Sequence, residues 1–473
     1  MLETRTQHSG TGAGATWLAA PRVRLALVAG SLAVIAVTLA QWLLALYHDT
    51  HSIAGRYDFS SYYAAAYALR LDPHANIYDP AVLARAGAAA HVLVNPPLPY
   101  TYPPLFAILL SPFTLLSFRV LSRLWLFGNA ALWLGVTVLL ANEIRVLLAT
   151  VYPTVSSSVS RRPPLRWLRD DPIPLLALSL ACWLCLPAAP AAQTLLTGQI
   201  NFLVLAPLAL IPLLTRRGHE RWVGICVALA AILKFTPALL LVYLLLRRRW
   251  QALIAALVAL LALALVSVLV VGPGVTIAAI PQALHVGVGD ADLGHNESLF
   301  APLLQFVTIH AASLTNVATL LARLLTLALA LLLGYRLWRG PRSADAADSL
   351  AENTGYGVAL CLLLLLAPAA WVHHYVWALP AAALALGLAV AMLLRALGTT
   401  RWPRAAALLA LTILACVALG WGLPHGWDTD PHPAVTTALG LPLWPLLLML
   451  RPLSVLMLAL LLTWWYARPD ATA

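Results

Sequence analysis

Arg56-Tyr57-Asp58-Phe59-Ser60-Ser61-Tyr62-Tyr63 opens a polar stretch, residues 48–101, between the first two apolar runs of a very apolar chain. An ionised carboxylate beside hydrocarbon is costly unless compensated, so such a chain keeps one only where something is bound, moved or deprotonated. Asp58 is therefore the first candidate for chemistry, as a group that takes a proton.

Of 29 basic side chains just one is a lysine, Lys234, within Ala231-Ile232-Leu233-Lys234-Phe235-Thr236-Pro237. Where arginine is used everywhere else, a lysine in apolar sequence points to a compact ammonium, such as one set against a phosphate oxygen; a side chain snorkelling from a helix end is the plainer alternative. Trp371-Val372-His373-His374-Tyr375-Val376-Trp377 joins two apolar runs with almost no loop. Histidine neighbours on a helix diverge by about 100 degrees, so His373 and His374 read as phosphate or substrate contacts, or as interfacial packing, ahead of metal ligands. Gly198-Gln199-Ile200-Asn201 sets two amides, Gln199 and Asn201, at a helix N-terminus suited to an anion or to sugar hydroxyls, with capping as the alternative for Asn201. Tyr62, Tyr102 in Tyr100-Thr101-Tyr102-Pro103-Pro104, and Asn296 with Glu297 in His295-Asn296-Glu297-Ser298-Leu299 complete the candidate substrate-binding set, although the last segment also reads as a helix cap. Asp290-Ala291-Asp292 and Asp428-Thr429-Asp430 are patterns common in turns, and no metal site is expected from them.

The elements that must position these groups are membrane helices. Hydrophobic residues make up 62% of the chain and charged residues 10%, at a mean hydropathy of +0.85, which excludes an ordinary globular protein. Runs long enough to cross or half-cross a hydrocarbon core predict an all-α polytopic membrane protein of about 10 to 13 helices, the second span opening at Tyr100-Thr101-Tyr102-Pro103-Pro104. The net charge of +11 does not indicate nucleic acid, because the arginines fall in short clusters between apolar runs, at 216–217, 247–249, 336–342 and 401–404. That is the pattern of cytoplasmic loops. It predicts a cytoplasmic tail over 1–23, one transmembrane domain over 24–465 and a tail over 466–473. Segments 48–101 and 273–312 fall on the extracytoplasmic side together with Lys234 and the two histidines. Within the first of these, Ser60 or Ser61 starts a helix that Asp72-Pro73 stops, and Asp79-Pro80 caps a second short one. Segment 143–169 conflicts with this topology, since its five basic residues point to the cytoplasm while alternating spans place it outside; one half-helix pair would resolve the conflict. Cys182, Cys185, Cys226, Cys361 and Cys416 lie in apolar runs and read as packing residues. No soluble run is long enough for a nucleotide-binding domain.

In this order, Asp58-Phe59-Ser60-Ser61-Tyr62-Tyr63-Ala64-Ala65, Tyr102-Pro103-Pro104-Leu105, Gly198-Gln199-Ile200-Asn201, Lys234-Phe235-Thr236-Pro237 and His373-His374-Tyr375-Val376 resemble glycosyltransferase family 87, the DUF2029 group, over about residues 55–400. The resemblance implies a GT-C-type bundle in the cell membrane whose site faces away from the cytoplasm. It also implies a polyprenyl-phosphate-linked sugar donor, a glycolipid or cell-envelope glycan acceptor among the membrane lipids, no cofactor, and catalysis by the acid at Asp58. A hexose, mannose foremost, is the expected sugar; arabinofuranose is the alternative, because the residues after the acid depart from the family's best-known pattern. In the mechanism that fits, Asp58 is the general base on the acceptor hydroxyl, and Lys234 with His373 or His374 holds the departing phosphate. One carboxylate without a second nucleophile favours inversion. A lipid-linked sugar flippase is the competing class, and a subunit that only binds lipid-linked glycans is the third.

Overall fold

In the computed structural model the described residues are 20–51, 57–149 except 93 and 95, 171–288, 296–340, 346–420 except 368 and 398, and 447–466. Every regular element among them is helical. Among the described residues six helices are long and apolar enough to cross a membrane, and Ile173–Cys185 with Ala189–Thr197, bent by 61°, makes a seventh if counted as one span. Further apolar helices of 10–17 residues include Asn201–Arg216, Thr236–Leu246, Leu350–Leu365 and Leu450–Tyr466. Several runs that read as spans in the sequence are these shorter pieces, broken where prolines and polar residues interrupt the backbone ladder.

The span Val372–Ala396 is 83% buried and forms the centre of the bundle. Pro21–Tyr47 and Thr315–Arg339 are only 11% buried, so their apolar side chains face lipid. All-round hydrophobic helices of this kind need a bilayer as their second solvent.

Two opposite ends can be told apart from internal contacts. We name α1 Pro21–His51, α2 Tyr57–Leu71, α3 Pro80–Ala89, α4 Pro104–Leu110, α5 Phe118–Ala149, α6 Ile173–Cys185, α7 Ala189–Thr197, α8 Asn201–Arg216 and α9 Glu220–Leu233. At one end Arg216, closing α8, pairs with Glu143 near the end of α5, and Arg249 pairs at 2.6 Å with Glu220, which opens α9. Arg247 pairs there with Glu352 and donates to the Leu337 carbonyl at 2.9 Å. This is the arginine end. Asn201, at the start of α8, and Lys234, which caps the C-terminus of α9, mark the other end.

The segment 104–115 does not cross between these ends. It begins beside Tyr62, whose ring lies 4.9 Å from Tyr102, and finishes where the Tyr63 hydroxyl donates to Leu116 O at 2.6 Å. Tyr102-Pro103-Pro104 therefore opens a short helix rather than a second span. Removing that crossing brings α5 down to the arginine end at Glu143, while residues 150–169 of the basic segment lie outside the described residues. The bent α6–α7 pair then returns the chain from that end to Gly198.

The two short helices expected in the first polar stretch are present. α2 starts at Tyr57, earlier than its serines predict, so Asp58 lies in its first turn. Asp79 caps α3 by accepting from Ala81 N at 2.8 Å, with Pro80 in the first turn. All five cysteines are free and buried, as packing residues.

Candidate active site

Asp58 is half-buried at the end opposite the arginines. Burial pushes its carboxyl up from 3.8 to about 6, while hydrogen bonding from Gln199, the charge of Lys234 and hydrogen bonding from Thr197 pull the other way. A first-turn position also favours the anion through the exposed helix N–H groups. The result is a carboxylate that is ionised at neutral pH yet basic enough to take a proton.

α2 is held in place by rings. Phe59, fully buried, stacks on Trp125 at 5.4 Å and lies 5.8 Å from Phe118. Trp125 Nε1 donates to Gly198 O at 2.8 Å. Gly198 ends α7 in the left-handed region at φ +73°, and a Cβ there would sit 2.9 Å from the Phe59 Cβ. Only glycine allows both the turn and this approach, which lays Gln199 against α2.

Gln199 Oε1 accepts from Tyr62 Oη at 2.9 Å and from Tyr102 Oη at 3.0 Å. Asn201, fully buried, uses its side chain on other elements rather than as a cap: Nδ2 donates to His373 O at 3.0 Å and Oδ1 accepts from Lys234 Nζ at 3.1 Å. Lys234 Nζ also meets His374 Nε2 at 2.7 Å, and it lies 5.1 Å from the Trp377 ring centre and 5.5 Å from that of Tyr102. An ammonium offers only donors, so His374 is the acceptor in this contact. Two of the three ammonium protons are thus directed at Asn201 and His374, and the third can meet an anion. His373, half-buried, has its ring 4.6 Å from that of His374. Both histidines lie in a short 3₁₀ helix, Val372–Ala378, ahead of the central helix.

Asn296 and Glu297 lie behind the histidine loop. Asn296 Oδ1 accepts from Ser298 N at 2.9 Å and from Ala370 N at 3.1 Å, and Glu297 N donates to Ala370 O at 2.7 Å. The Glu297 carboxylate forms a buried ion pair with Arg451 at 2.5 Å, and Tyr375 Oη donates to Glu297 O at 2.5 Å. These contacts bind the loop to its neighbours, and the helix Ala301–His310 that follows has no side-chain cap. Asp290, Asp292, Asp428 and Asp430 lie outside the described residues. Among the described residues no three His, Cys, Asp or Glu side chains gather as a metal site would require.

Sequence reasoning missed Thr197, Trp125, Arg451 and the ring role of Trp377. Thr197, Trp125 and Arg451 have no motif of their own, Trp377 ends the histidine motif without naming a partner, and only the packing reveals what each one meets.

The model of glycosyltransferase family 87 matches residues 100–355, which hold Tyr102, Gln199, Asn201, Lys234, Asn296 and Glu297; Asp58 and the two histidines lie outside the match. The chain is 31% identical over 371 residues to a polyprenol-phosphate-mannose-dependent alpha-(1-2)-phosphatidylinositol mannoside mannosyltransferase of Mycobacterium tuberculosis, covering 74% of each chain. It is 31% identical over 307 residues to the polyprenol-phosphate-mannose-dependent alpha-(1-2)-phosphatidylinositol pentamannoside mannosyltransferase of Mycolicibacterium smegmatis, covering 60% of each chain. A second relative from that organism, a phosphatidylinositol mannoside mannosyltransferase, is 29% identical, with 62% of this chain and 63% of the relative covered. The matches thus span less than two thirds of the length of the two M. smegmatis proteins. No solved structure matches the chain. With the family model covering more than half of its residues, the chain belongs to glycosyltransferase family 87.

Proposed function

We propose that this protein transfers mannose from a polyprenyl-phosphate carrier to a hydroxyl of a glycolipid or cell-envelope glycan, with inversion at the sugar carbon. The observation that carries this reading is the meeting of Asp58, from the first polar stretch, with Lys234 and the histidine loop in one polar site at the end of the bundle. The relatives named for polyprenol-phosphate-mannose and for alpha-(1-2) transfer support the sugar, the carrier and the product linkage.

In the proposed reaction the acceptor hydroxyl attacks C1 of the sugar from the face opposite the phosphate. Asp58 takes the hydroxyl proton as the new glycosidic bond forms, and the C1–O bond to phosphate breaks with its electron pair leaving on the phosphate. A β-linked donor then yields an α-product. Lys234, held by Asn201 and His374, donates to the departing phosphate together with His373. His374, being occupied with the ammonium, orients Lys234 instead of contacting the phosphate itself.

We place this site on the extracytoplasmic face, because it lies opposite the arginine end and loop arginines mark the cytoplasmic side. A lipid-anchored donor reaches such a site sideways, with its phosphate at interface depth. The test is transfer of radiolabelled mannose from polyprenyl-phosphate-mannose by the purified protein in vesicles containing phosphatidylinositol mannosides. Mannose in an alpha linkage on the lipid supports the reading. Movement of the intact carrier lipid across the vesicle with no transfer would favour the flippase instead.

A further inference from the structure

Gln199 is one of the residues that sequence reasoning assigns to the sugar. Its surroundings give it other work. The side chain is buried, and its carbonyl oxygen has two lone pairs, both facing tyrosine hydroxyls: Tyr62 at 2.9 Å and Tyr102 at 3.0 Å. Tyr62 is itself fully buried, one helical turn after Asp58 on the same face of α2, and its ring meets that of Tyr102 edge-on at 4.9 Å. A phenol can donate or accept, so the two hydroxyls hold this end of the amide in place, and the acceptor-only carboxylate of Asp58 decides which way the amide points. With Oε1 committed to them, the NH2 group is the part of Gln199 that addresses Asp58, whose hydrogen bonding from Gln199 is among the forces acting on it. The reverse orientation would turn a carbonyl oxygen toward a carboxylate, which is repulsive.

The neighbouring turn repeats the arrangement on the other reacting group. Two residues further on, Asn201 holds Lys234 at 3.1 Å. One turn, pinned at Gly198 against Phe59, thus reaches the carboxylate with its first amide and the ammonium with its second.

We propose that Gln199 is a positioning residue for Asp58, held in place by Tyr62 and Tyr102, and not a ligand of the transferred sugar. The proposal rests on Asp58 being the general base. The titratable groups facing Asp58 are Tyr62 on its own helix, Tyr102 ahead of α4 and Lys234 after α9. Lys234 supplies the only positive charge among these, and hydrogen bonding from Gln199, the larger contribution, and from Thr197 supplies the rest of the side-chain support for the anion.

Three variants separate the two roles: Gln199→Glu, Tyr102→Phe and the double change Tyr62→Phe with Tyr102→Phe. Each is assayed for transfer from polyprenyl-phosphate-mannose across pH 5 to about 9, the range that brackets the titration of the base. The carboxylate introduced by Gln199→Glu would still accept from both tyrosines but present an oxygen to Asp58, and two carboxylates at one site cannot both ionise readily. The acid limb of kcat/KM should move up by about one pH unit or more, with kcat at neutral pH down at least about 10-fold and the donor KM within about 3-fold of wild type. The tyrosine variants remove the anchors of the amide, and should lower kcat in the order single then double while also leaving the donor KM in place. If Gln199→Glu fails to fold, Tyr102→Phe still decides the matter, because it removes only one hydroxyl and keeps the buried ring. An acid limb that stays at its wild-type position, or a loss expressed as a raised donor KM at unchanged kcat, would overturn the proposal. Asp58→Asn, assayed alongside, keeps the two questions apart: an active Asp58→Asn enzyme defeats the general-base reading, whereas an inactive one with an unmoved limb in Gln199→Glu defeats the positioning role alone.

Discussion

Ionising Asp58 works against its surroundings, since moving a carboxyl from 3.8 to about 6 costs the anion about 3 kcal/mol. Groups held at such a disadvantage beside a specific cation mark functional sites. Because the folded protein binds this proton more tightly than the unfolded chain does, the contribution of Asp58 to stability is present in full below pH 4 or so and is lost as pH rises through about 6. Asp58→Asn removes that dependence. It is expected to fold and insert, to melt in detergent at pH 7 no lower than the wild type, and to lose about 10²- to 10⁴-fold in transfer rate. In the wild type the same carboxyl should give kcat/KM an acid limb near pH 6, falling about tenfold per pH unit below it. At Lys234 the compact ammonium fits between Asn201 and His374, contacts of 3.1 and 2.7 Å that a planar guanidinium cannot reproduce. Lys234→Arg should therefore lose nearly as much activity as Lys234→Ala, with the defect in use of the donor; full activity of the arginine variant would reduce Lys234 to a snorkelling side chain.

Among the elements, the turn between α7 and α8 carries the most. Gly198→Ala adds a Cβ at 2.9 Å from that of Phe59 in a left-handed backbone, so α2 or the turn must shift. The left-handed conformation alone costs a residue with a side chain about 1–2 kcal/mol. The expected outcome is a lowered melting temperature together with a loss of kcat exceeding what stability explains, as both amides move relative to Asp58 and Lys234. A variant with wild-type kinetics would show that the turn has slack. The buried pair of Glu297 and Arg451 anchors the histidine loop to the helix Leu450–Tyr466, with side chains exposed by only 1% and 4%. Leaving one buried charge without its partner typically costs about 3–5 kcal/mol. Arg451→Met should thus destabilise the protein by several kcal/mol in chemical unfolding, and Arg451→Met with Glu297→Gln should recover much of that loss.

For the whole molecule the decisive property is sidedness. His74, exposed between α2 and α3, belongs to the site end, and Arg217, exposed after α8, belongs to the arginine end. In a background with the five native cysteines replaced, His74→Cys should react with an impermeant thiol reagent added to intact cells, while Arg217→Cys should react only after permeabilisation. The opposite pattern would put the site in the cytoplasm and remove the argument for a lipid-linked donor arriving from outside.

The sequence alone determined that the chain is helical and lies in a membrane, because composition and apolar run length depend on nothing beyond the chain. It also singled out Asp58, Lys234, His373 and the two amides of Gln199-Ile200-Asn201, since a charge or amide set in apolar sequence is costly wherever it ends up. Run length does not tell a crossing helix from a short one: 104–115 is as apolar as a span, yet Tyr62 and Tyr63, neighbours on α2, hold its two ends. What the amides do was equally out of reach, because a side chain's partners come from other helices: Gln199 turns to two tyrosines, and Asn201 to a lysine and a histidine loop. The arginines that read as loop charges turn out in part to be paired, with Arg216, Arg247 and Arg249 each facing a glutamate on another segment. Pairing of this kind is decided by tertiary contact, where the cost of burying one charge is offset by bringing up its opposite.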